Sequence, residues 1–517
     1  MRKRVLSAVL VLCIIMTTSI SLLVANANNQ PQVKNVIMLI PDGMSVTATA
    51  LARYYIDSTG KTNLEMDKYF TGLVKTSWAN GPITDSAPAG TAYSTGNKSI
   101  PGALGIDANK MPKATILEAA QTKGKATGLV ATSEWMHATP AAFSAHEEAR
   151  SNYANIAEQM LSQNIDVLLG TGSAKVPTAT FDILATANAK GYTVVNNKTE
   201  MLSATSNKIW GDFTATIGGK NNMSYDLDRN VNEEPSLEEM TKKAIEVLSK
   251  DQDGFFLMVE GSKIDWAAHA NDTAGVVGDT LAFDKAFKAA VDYAKADGNT
   301  AVISVTDHGN SGISIGNYNL NGYDSAQFSI LNPIKGATKS AEGALTLLPN
   351  TDDVLRAYGI DPADTTTKVK EAIDIFKATP NSNNLVKTLN EKAFIGYTTY
   401  GHTGEDVPLY VYTPSSVSKN AMKGLHKNTD VAKFMANLFG VDLDEVTSKL
   451  FVDVTSKATY DSTTKTYTII ENGKTLIFKA NQAVAKLDGV DKDLNGQVIV
   501  VVNSKVYLPQ VALDLLK

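Results

Sequence analysis

Acidic residues and a histidine stand at the ends of three apolar runs in this chain. Asp42 closes "NVIMLIPD", Glu260 closes "FFLMVE", and Asp307 and His308 follow "AVISVT". Apolar runs of this length predict strands that are buried on both faces, and the carboxyl ends of parallel strands meet at one edge of a sheet. Because several unpaired charges are costly to bury together, their convergence at that edge indicates a bound cation.

Further metal-ligand candidates occur in two other strings. Asp265 and His269 are four residues apart in "SKIDWAAHAND", so a helix would place both on one face, and His402 lies in "YGHTGED", a loop flanked by glycine. A mixture of imidazole and carboxylate ligands suits zinc. Three candidates offer only oxygen atoms, which suit a harder ion such as magnesium: Asp42, Thr139 and Glu260.

The stretch "TDSAPAGTAYSTG", residues 84–96, combines small and polar residues with an Asp85–Ser86 pair. Two interpretations stay open on the residues alone. The stretch is either a surface loop or the start of a helix that presents Ser86 to a phosphate, because the free N–H groups of a helix N-terminus bind anions.

The elements that must position these residues alternate between strands and helices. This alternation predicts an α/β fold with a mostly parallel sheet. Residues 310–400 are rich in Asn, Gly, Thr and Pro and predict an irregular insertion in a catalytic domain spanning 28–450. From residue 451 the pattern alternates around Asn472-Gly473, which predicts a hairpin. A small α+β module at 451–517 follows, and a chain ending near residue 456 is expected to fold and act without it.

The N-terminus is predicted to be a secretory signal peptide, residues 1–27. Three basic residues precede a mostly apolar run, and Ala25 and Ala27 stand at the −3 and −1 positions. The alternative is an uncleaved membrane anchor. Cleavage would remove Cys13, which is the only cysteine, and would change the net charge from −6 to −9, since the segment carries three positive charges and no negative one. An acidic exported protein argues against nucleic-acid binding.

Six separated strings together resemble bacterial alkaline phosphatases, Bacillus-like members included. They are "PDGM", "TDSAPAGTAYSTG", "HATPAAFSAHEEAR", "VEGSKIDWAAHAND", "TDHG" and "GHTG", in the order of that family. The resemblance covers about residues 33–450. It implies a central mostly parallel sheet with helices on both faces, hydrolysis of small phosphate monoesters that releases inorganic phosphate, and a homodimer.

The resemblance also implies the role of each site residue. Ser86 is the nucleophile that forms a phosphoserine intermediate, Arg150 grips the phosphate, and Asp85 positions a neighbouring group. The implied cofactors are two Zn²⁺ and one Mg²⁺. Their implied ligands are Asp265, His269 and His402 for one zinc, Asp42, Asp307 and His308 with Ser86 for the other, and Asp42, Thr139 and Glu260 for magnesium.

Two positions depart from the pattern of the enteric enzymes. His137 stands where those have Asp, and Trp266 stands where those have Lys. An imidazole beside the third site could ligate the metal, so Zn²⁺ or Co²⁺ could compete with Mg²⁺ there. Trp266 removes a cation from the surroundings of the phosphate and is expected to weaken product binding.

The segment "VVNSKVYLPQVALDLL" and the hairpin before it resemble the copper amine oxidase N-terminal-like modules of exported Gram-positive proteins. The module contains neither His nor Cys, so copper binding is not expected. The resemblance implies an extracellular protein, secreted or associated with the cell wall or surface through this module.

Alternative functions remain at this point. One is a related hydrolase of the same superfamily, such as a phosphodiesterase or a sulfatase, although a sulfatase needs a Cys or Ser in another motif. The other is a non-catalytic surface protein that keeps metals for stability. Ser86 and Arg150 argue against the second alternative, because neither has an evident structural task.

Overall fold

The protein is described here by a computed structural model. The described residues are 32–57, 59, 61–176, 182–217 and 222–517. The predicted signal peptide, with Cys13, lies outside them. Within these ranges no helix is both long enough and apolar enough to cross a membrane.

The strands and helices alternate along most of the chain. In chain order the strands are β1 (Asn35–Ile40), β2 (Phe70–Lys75), β3 (Ala126–Glu134), β4 (Val167–Thr171), β5 (Thr193–Val195), β6 (Ile209–Asp212), β7 (Phe255–Glu260), β8 (Thr300–Val305), β9 (Gly309–Asn310), β10 (Ser314–Ile315), β11 (Ile395–Gly396), β12 (His402–Thr403), β13 (Val407–Tyr412), β14 (Gly424–Lys427), β15 (Val452–Asp453), β16 (Thr459–Asp461), β17 (Thr466–Glu471), β18 (Lys474–Phe478), β19 (Val484–Leu487), β20 (Val490–Asp493), β21 (Val500–Val502) and β22 (Lys505–Leu508). The α-helices are Val46–Ile56, Ser86–Thr95, Ile116–Gln121, Ala138–Ala141, Tyr153–Ser162, Ile183–Ala189, Lys198–Ser203, Leu237–Leu248, Lys263–His269, Thr273–Asp297, Ala341–Leu345, Thr351–Ala357, Thr367–Ala378, Ser382–Lys392, Asn428–Phe439, Leu443–Leu450 and Gln510–Asp514.

Ten strands form the central sheet, in the order β14-β2-β13-β8-β1-β7-β3-β4-β6-β5. β13 is antiparallel to both of its neighbours, and the other pairs are parallel. The three strands predicted to end in site residues, β8, β1 and β7, are adjacent, so their carboxyl ends share one edge. The predicted mostly parallel α/β fold is confirmed.

Helices cover both faces of this sheet. Every residue of β1 is buried, and alternate residues enter different apolar clusters: Val36 and Met38 on one face, Ile37 and Leu39 on the other. A strand with apolar side chains on both faces needs a layer against each, which explains why its sequence is a continuous apolar run.

The segment 310–400 is more regular than the sequence predicts. Four α-helices occupy its second half, between Ala341 and Lys392, and pack around their own apolar cluster. Several polar residues that suggested a loop are helix N-caps instead. Ser340, Asn350 and Asn381 each accept a hydrogen bond from a backbone N–H in the first turn. Ser and Asn serve turns and caps equally well, so composition alone misjudged this half of the insertion.

The C-terminal module consists of a five-stranded antiparallel sheet (β16–β20), a three-stranded sheet (β15, β22, β21) and the Gln510–Asp514 helix. The predicted hairpin joins β17 to β18. Its turn residues, Asn472 and Gly473, have φ of 53° and 76°. Positive φ at both central residues is the requirement of a type I′ turn.

The module packs against the catalytic domain, which the sequence does not predict. It has a small core of its own, but Val498, Val500, Val502 and Tyr507 belong to the same buried apolar cluster as the catalytic core. Alternation along a strand shows which side chains share a face, but it does not show which other element covers that face. Removing residues 451–517 would expose that shared cluster to water, which is unfavourable.

Candidate functional site

Ser86 is the first residue of the Ser86–Thr95 helix, and Asp85 is its N-cap. Every residue of this helix is buried, which excludes the surface-loop interpretation. Its small residues permit this burial: a Cβ on Gly90 would stand 2.9 Å from the Cβ of Ala142. The buried helix start therefore holds Ser86, which is 3% exposed, on a rigid element.

The first cluster surrounds the Ser86 hydroxyl, whose Oγ lies 3.2 Å from His308 Nε2. The same nitrogen is 3.1 Å from Asp307 Oδ2 and 3.5 Å from Asp42 Oδ1. Ligand atoms of Asp42, Asp307 and His308 all lie within 4.8 Å of one another. All three side chains are fully buried, as expected from their positions beyond the ends of β1 and β8.

A second cluster lies beside the first. The Lys263–His269 helix places Asp265 and His269 on one face, with His269 Nε2 3.4 Å from Asp265 Oδ2. His402 Nε2 is 3.1 Å from His269 Nε2 and 3.7 Å from Asp265 Oδ1. The ring of His308 stacks on His402 at 3.5 Å, and Asp265, His308 and His402 also form a group within 4.8 Å. The two clusters are therefore contiguous.

Two of the three oxygen-only candidates, Asp42 and Glu260, lie close enough for their charges to interact. The carboxylate oxygens of Asp42 and Glu260 and the Thr139 hydroxyl are fully buried and form no hydrogen bond with any described residue. Burying an unpaired carboxylate is among the most unfavourable changes in a protein interior. Two such carboxylates, together with a buried hydroxyl that has no partner, need an explanation that lies outside the protein's own hydrogen bonds.

The electrostatics of this centre fit divalent cations. Burial, and then the charge of Asp307, raises the pKa of Asp42 well above its usual range. Burial raises the pKa of Glu260 to about 8. Burial lowers the pKa of His308, but the surrounding groups, the Asp307 carboxylate first among them, together outweigh burial and raise it to about 9. Without a cation, the raised pKa values mean that these buried groups hold protons, which reduce the negative charge of the centre. A bound divalent cation would neutralise the same charge without those protons.

Arg150 lies at the mouth of the site and is fixed by two partners. Its Nη1 donates to Asp85 Oδ1, and its Nη2 donates to His137 Nε2 at 2.9 Å. Burial, and then the positive charge of Arg150, lowers the pKa of His137 to about 3. Because a guanidinium has no acceptor, the neutral imidazole must accept at Nε2 and carry its proton on Nδ1. The predicted positioning role of Asp85 is thus matched by a contact with Arg150.

Trp266 and His137 meet at the edge of the site, with their rings 5.7 Å apart and T-shaped. The sequence reasoning missed Lys263, whose Nζ lies 4.3 Å from the Trp266 ring and 4.2 Å from that of Tyr225. It also missed Asn310, whose Nδ2 donates to Asp265 Oδ1 at 2.6 Å and so orients that carboxylate. Lys263 lies two residues before Asp265 in the sequence, and a positive charge at that position is the signal that could have identified it.

The structure therefore brings the two groups of candidate ligands together with Ser86, and it places Arg150 against Asp85 and His137. The string "LLGTGSAK" comprises the end of β4, Gly172 and a short 3₁₀ helix, Ser173–Lys175. His146 is a core histidine that contacts Glu118 and the carbonyl of Gly105.

Comparisons with known proteins agree with this geometry. The alkaline phosphatase family model matches residues 33–441. Alkaline phosphatase 3 of Bacillus subtilis is 37% identical over 445 aligned residues, which cover 81% of this chain and 92% of that protein. The crystal structure of a cold-active alkaline phosphatase from a psychrophilic Shewanella has a TM-score of 0.69 at 31% identity, covering 78% of this chain and 99% of that one.

A third match concerns the third metal position. A variant of the TAB5 alkaline phosphatase, in which one histidine is replaced by glutamate, is described with Mg bound in the M3 site. It has a TM-score of 0.58 at 25% identity and covers 80% of this chain and 99% of that one. The family model ends before the C-terminal module. Six motifs, a ten-stranded sheet and two contiguous ligand clusters thus agree with the matches: the chain belongs to the alkaline phosphatase family of metal-dependent hydrolases.

Proposed function

We propose that this protein is an exported phosphatase that hydrolyses small phosphate monoesters through a phosphoserine intermediate on Ser86. One observation carries the proposal. The Ser86 Oγ is buried at a helix N-terminus, 3.2 Å from His308 Nε2 and in front of carboxylates that have no hydrogen-bond partner. A structural serine has no need of such surroundings.

The residues of the chain would divide the reaction into two displacements. Ser86 Oγ loses its proton and attacks phosphorus. A new P–O bond forms as the bond to the substrate's oxygen breaks, and the leaving group takes up a proton and departs as the alcohol. Water then attacks the phosphoserine from the vacated side, which returns the serine hydroxyl and releases inorganic phosphate. Two inversions give net retention at phosphorus. Arg150 would bind two phosphate oxygens, because its planar fork suits them as a lysine would not.

The neutral state of His137 supports this role of Arg150. The imidazole accepts one guanidinium N–H at 2.9 Å without adding a negative charge, while Asp85 holds another. The guanidinium therefore keeps its orientation and retains donors for the incoming dianion. Preorganised positive charge of this kind stabilises the phosphoryl transition state at no reorganisation cost.

The residues also fit the implied metals. Asp265, His269 and His402 would hold one zinc, and Asp42, Asp307 and His308 a second, beside Ser86. Bound there, two adjacent divalent cations would stabilise the charge on the attacking and leaving oxygens. Asp42, Thr139 and Glu260 would hold magnesium. Zinc or cobalt could compete there only if His137 gave up its contact with Arg150 and turned a free ring nitrogen to the metal. The magnesium described in the M3 site of the TAB5 variant supports magnesium as the third ion.

The setting of the enzyme is part of the proposal. The N-terminal pattern of basic, apolar and small residues supports export. The resemblance of residues 451–517 to modules of exported proteins supports association with the cell wall or surface. The family resemblance supports a homodimer.

Replacement of Ser86 tests the mechanism. We expect Ser86→Ala to fold, to bind metals in the ratio found for the wild type by elemental analysis, and to lose several orders of magnitude in kcat, as for other lost nucleophiles. Acid quenching of wild-type protein with substrate should leave phosphate on the peptide that contains Ser86, as seen by mass spectrometry.

Ser99→Ala is a matched control, because Ser99 is also fully buried and its hydroxyl forms no hydrogen bond with a described residue. This variant should keep both turnover and the phosphopeptide. Near-normal turnover in Ser86→Ala, without a wild-type adduct, would refute the phosphoserine mechanism and leave the family assignment intact.

A further inference from the structure

Arg150 is carried by a short loop, residues 146–150, that we call the arginine loop. One side of this loop is held within the catalytic domain. Glu147 and Leu104 exchange two backbone hydrogen bonds of 2.9 and 3.0 Å, and the Arg150 N–H donates to the Gly102 carbonyl at 2.7 Å. The Gly102 N–H in turn donates to Asp85 at 2.8 Å. These contacts fix the face of the loop that points to the site.

The opposite side of the arginine loop is held by the C-terminal module. The backbone N–H of Asn503 donates to Glu148 Oε1 at 2.6 Å, while Lys110 Nζ donates to Glu148 Oε2 at 2.7 Å. The hydrogen bond from Lys110, and then that from Asn503, lowers the pKa of Glu148. Glu148 is therefore an ionised link between the loop, the catalytic domain and the turn that joins β21 to β22.

A second link runs through a buried glutamine. Gln159, which is 1% exposed, accepts the His146 N–H at 2.9 Å and donates to the His146 carbonyl at 3.2 Å. The same Gln159 amide donates to Asn481 Oδ1 of the module at 3.1 Å. Asn481 Nδ2 also donates to Glu158 at 3.2 Å. The module thus fixes the side chain that clamps both backbone groups at the start of the loop.

A third contact is apolar. The ring of Phe451, the first residue of the module, lies 4.6 Å from the His146 ring in a T-shaped arrangement. His146 is 1% exposed. Sequence-distant parts of the module therefore reach the arginine loop at two points directly, Glu148 and His146, and at a third through Gln159. A module that served only as a spacer would need none of them.

We propose that the C-terminal module is a positioning element of the phosphate-binding site, which acts by bracing the arginine loop from behind. This inference rests on the proposed role of Arg150. Since a small displacement of a positioned group lowers its effect on substrate, weakening the brace should reduce affinity for phosphate. It should leave the nucleophile and the metal clusters as they are.

Two substitutions weaken the brace at separate points. Asn481→Gly removes the amide that binds Gln159, and glycine accepts the φ of 63° found there. Glu148→Gln removes the charge that the Asn503 N–H binds. Glu471→Gln is the matched control. Glu471 forms an exposed ion pair with Lys457, and both residues belong to the module. The full-length, metal-loaded protein is used throughout.

The readouts are kcat and KM for p-nitrophenyl phosphate, the inhibition constant of inorganic phosphate, the Tm and the metal content. We expect Asn481→Gly and Glu148→Gln each to raise KM and the inhibition constant about three- to tenfold, in the lower part of the range for coupled contacts. Metal content should stay at the wild-type ratio. Glu471→Gln should change neither constant.

A double-mutant cycle with Arg150→Ala separates this inference from the proposed function. In the Arg150→Ala background, the brace variants should have no further effect on the inhibition constant. If they weaken phosphate binding equally there, the brace does not act through Arg150 and the inference is wrong. If Arg150→Ala weakens binding but the brace variants do not, the inference alone fails. If Arg150→Ala leaves the inhibition constant unchanged, the proposed role of Arg150 fails, and the inference with it.

Discussion

Replacing Thr139 by valine should change the stability of the protein in opposite directions with and without metal. The Thr139 hydroxyl is fully buried and forms no hydrogen bond with a described residue. An unsatisfied buried hydroxyl costs roughly 1–3 kcal/mol, and valine has the same shape without that cost. In excess chelator, Thr139→Val should therefore raise the free energy of unfolding by about 1 kcal/mol, at the lower end of that range.

With saturating zinc and magnesium the sign should reverse. If Thr139 is a ligand of the third metal, its loss weakens that metal's binding to the folded state. Each tenfold loss of affinity removes about 1.4 kcal/mol of the stabilisation that the metal provides. A loss of a hundredfold would therefore outweigh the gain seen in chelator, and Thr139→Val should be the less stable protein under these conditions.

Thr91→Val is the control for this experiment. Thr91 is also fully buried, but its hydroxyl donates to the Ala103 carbonyl at 3.3 Å and accepts the Gly105 N–H at 3.0 Å. Its removal leaves buried backbone groups unpaired, so it should lower stability by about 1–3 kcal/mol in both conditions. Urea unfolding followed by tryptophan fluorescence measures both variants. Equal losses for Thr139→Val with and without metal would refute its assignment as a ligand.

Three further predictions follow from the structure. Chelation should abolish activity and lower the Tm, and zinc should restore both; full activity in excess chelator would contradict the metal clusters. A chain ending at Leu450 should be insoluble or markedly less stable, since Val500 and Tyr507 belong to the main core; a soluble protein with wild-type Tm would show that the module is separable after all. Protonated His146 donates to two acceptors, Glu118 and the Gly105 carbonyl. Burial lowers the pKa of His146, but the charge of Glu118 and the two hydrogen bonds together raise it by more, so the net change is upward. The stabilising contribution of protonated His146 should thus be present below pH 6.5 and be lost as the pH rises through the raised pKa of the folded state. The difference in unfolding free energy between wild type and His146→Asn should shrink over this rise in pH.

The strands, the shared helix face of Asp265 and His269 and the C-terminal hairpin could be predicted from the sequence, because their signals are local. A run such as "FFLMVE" indicates a strand buried on both faces, and its last residue must stand at the sheet edge. The spacing of Asp265 and His269 fixes a shared helix face. The Asn472-Gly473 pair demands one turn type. In each case the backbone geometry of a few residues decides the outcome.

Contacts between distant segments were decided only by the tertiary structure. His308 lies between the two clusters because it follows β8 and its ring stacks on that of His402 in β12. The 3.5 Å between the two rings cannot be inferred from their separation along the chain. Arg150 meets His137 across a turn, and Lys263 lies buried against Trp266 although lysine usually marks a surface. The helices of the insertion could not be predicted from its composition, because capping residues are also turn residues. The packing of the module against the main core could not be predicted either, because alternation along a strand identifies its buried face but not the partner that covers it. That partner is selected by the packing of the whole chain.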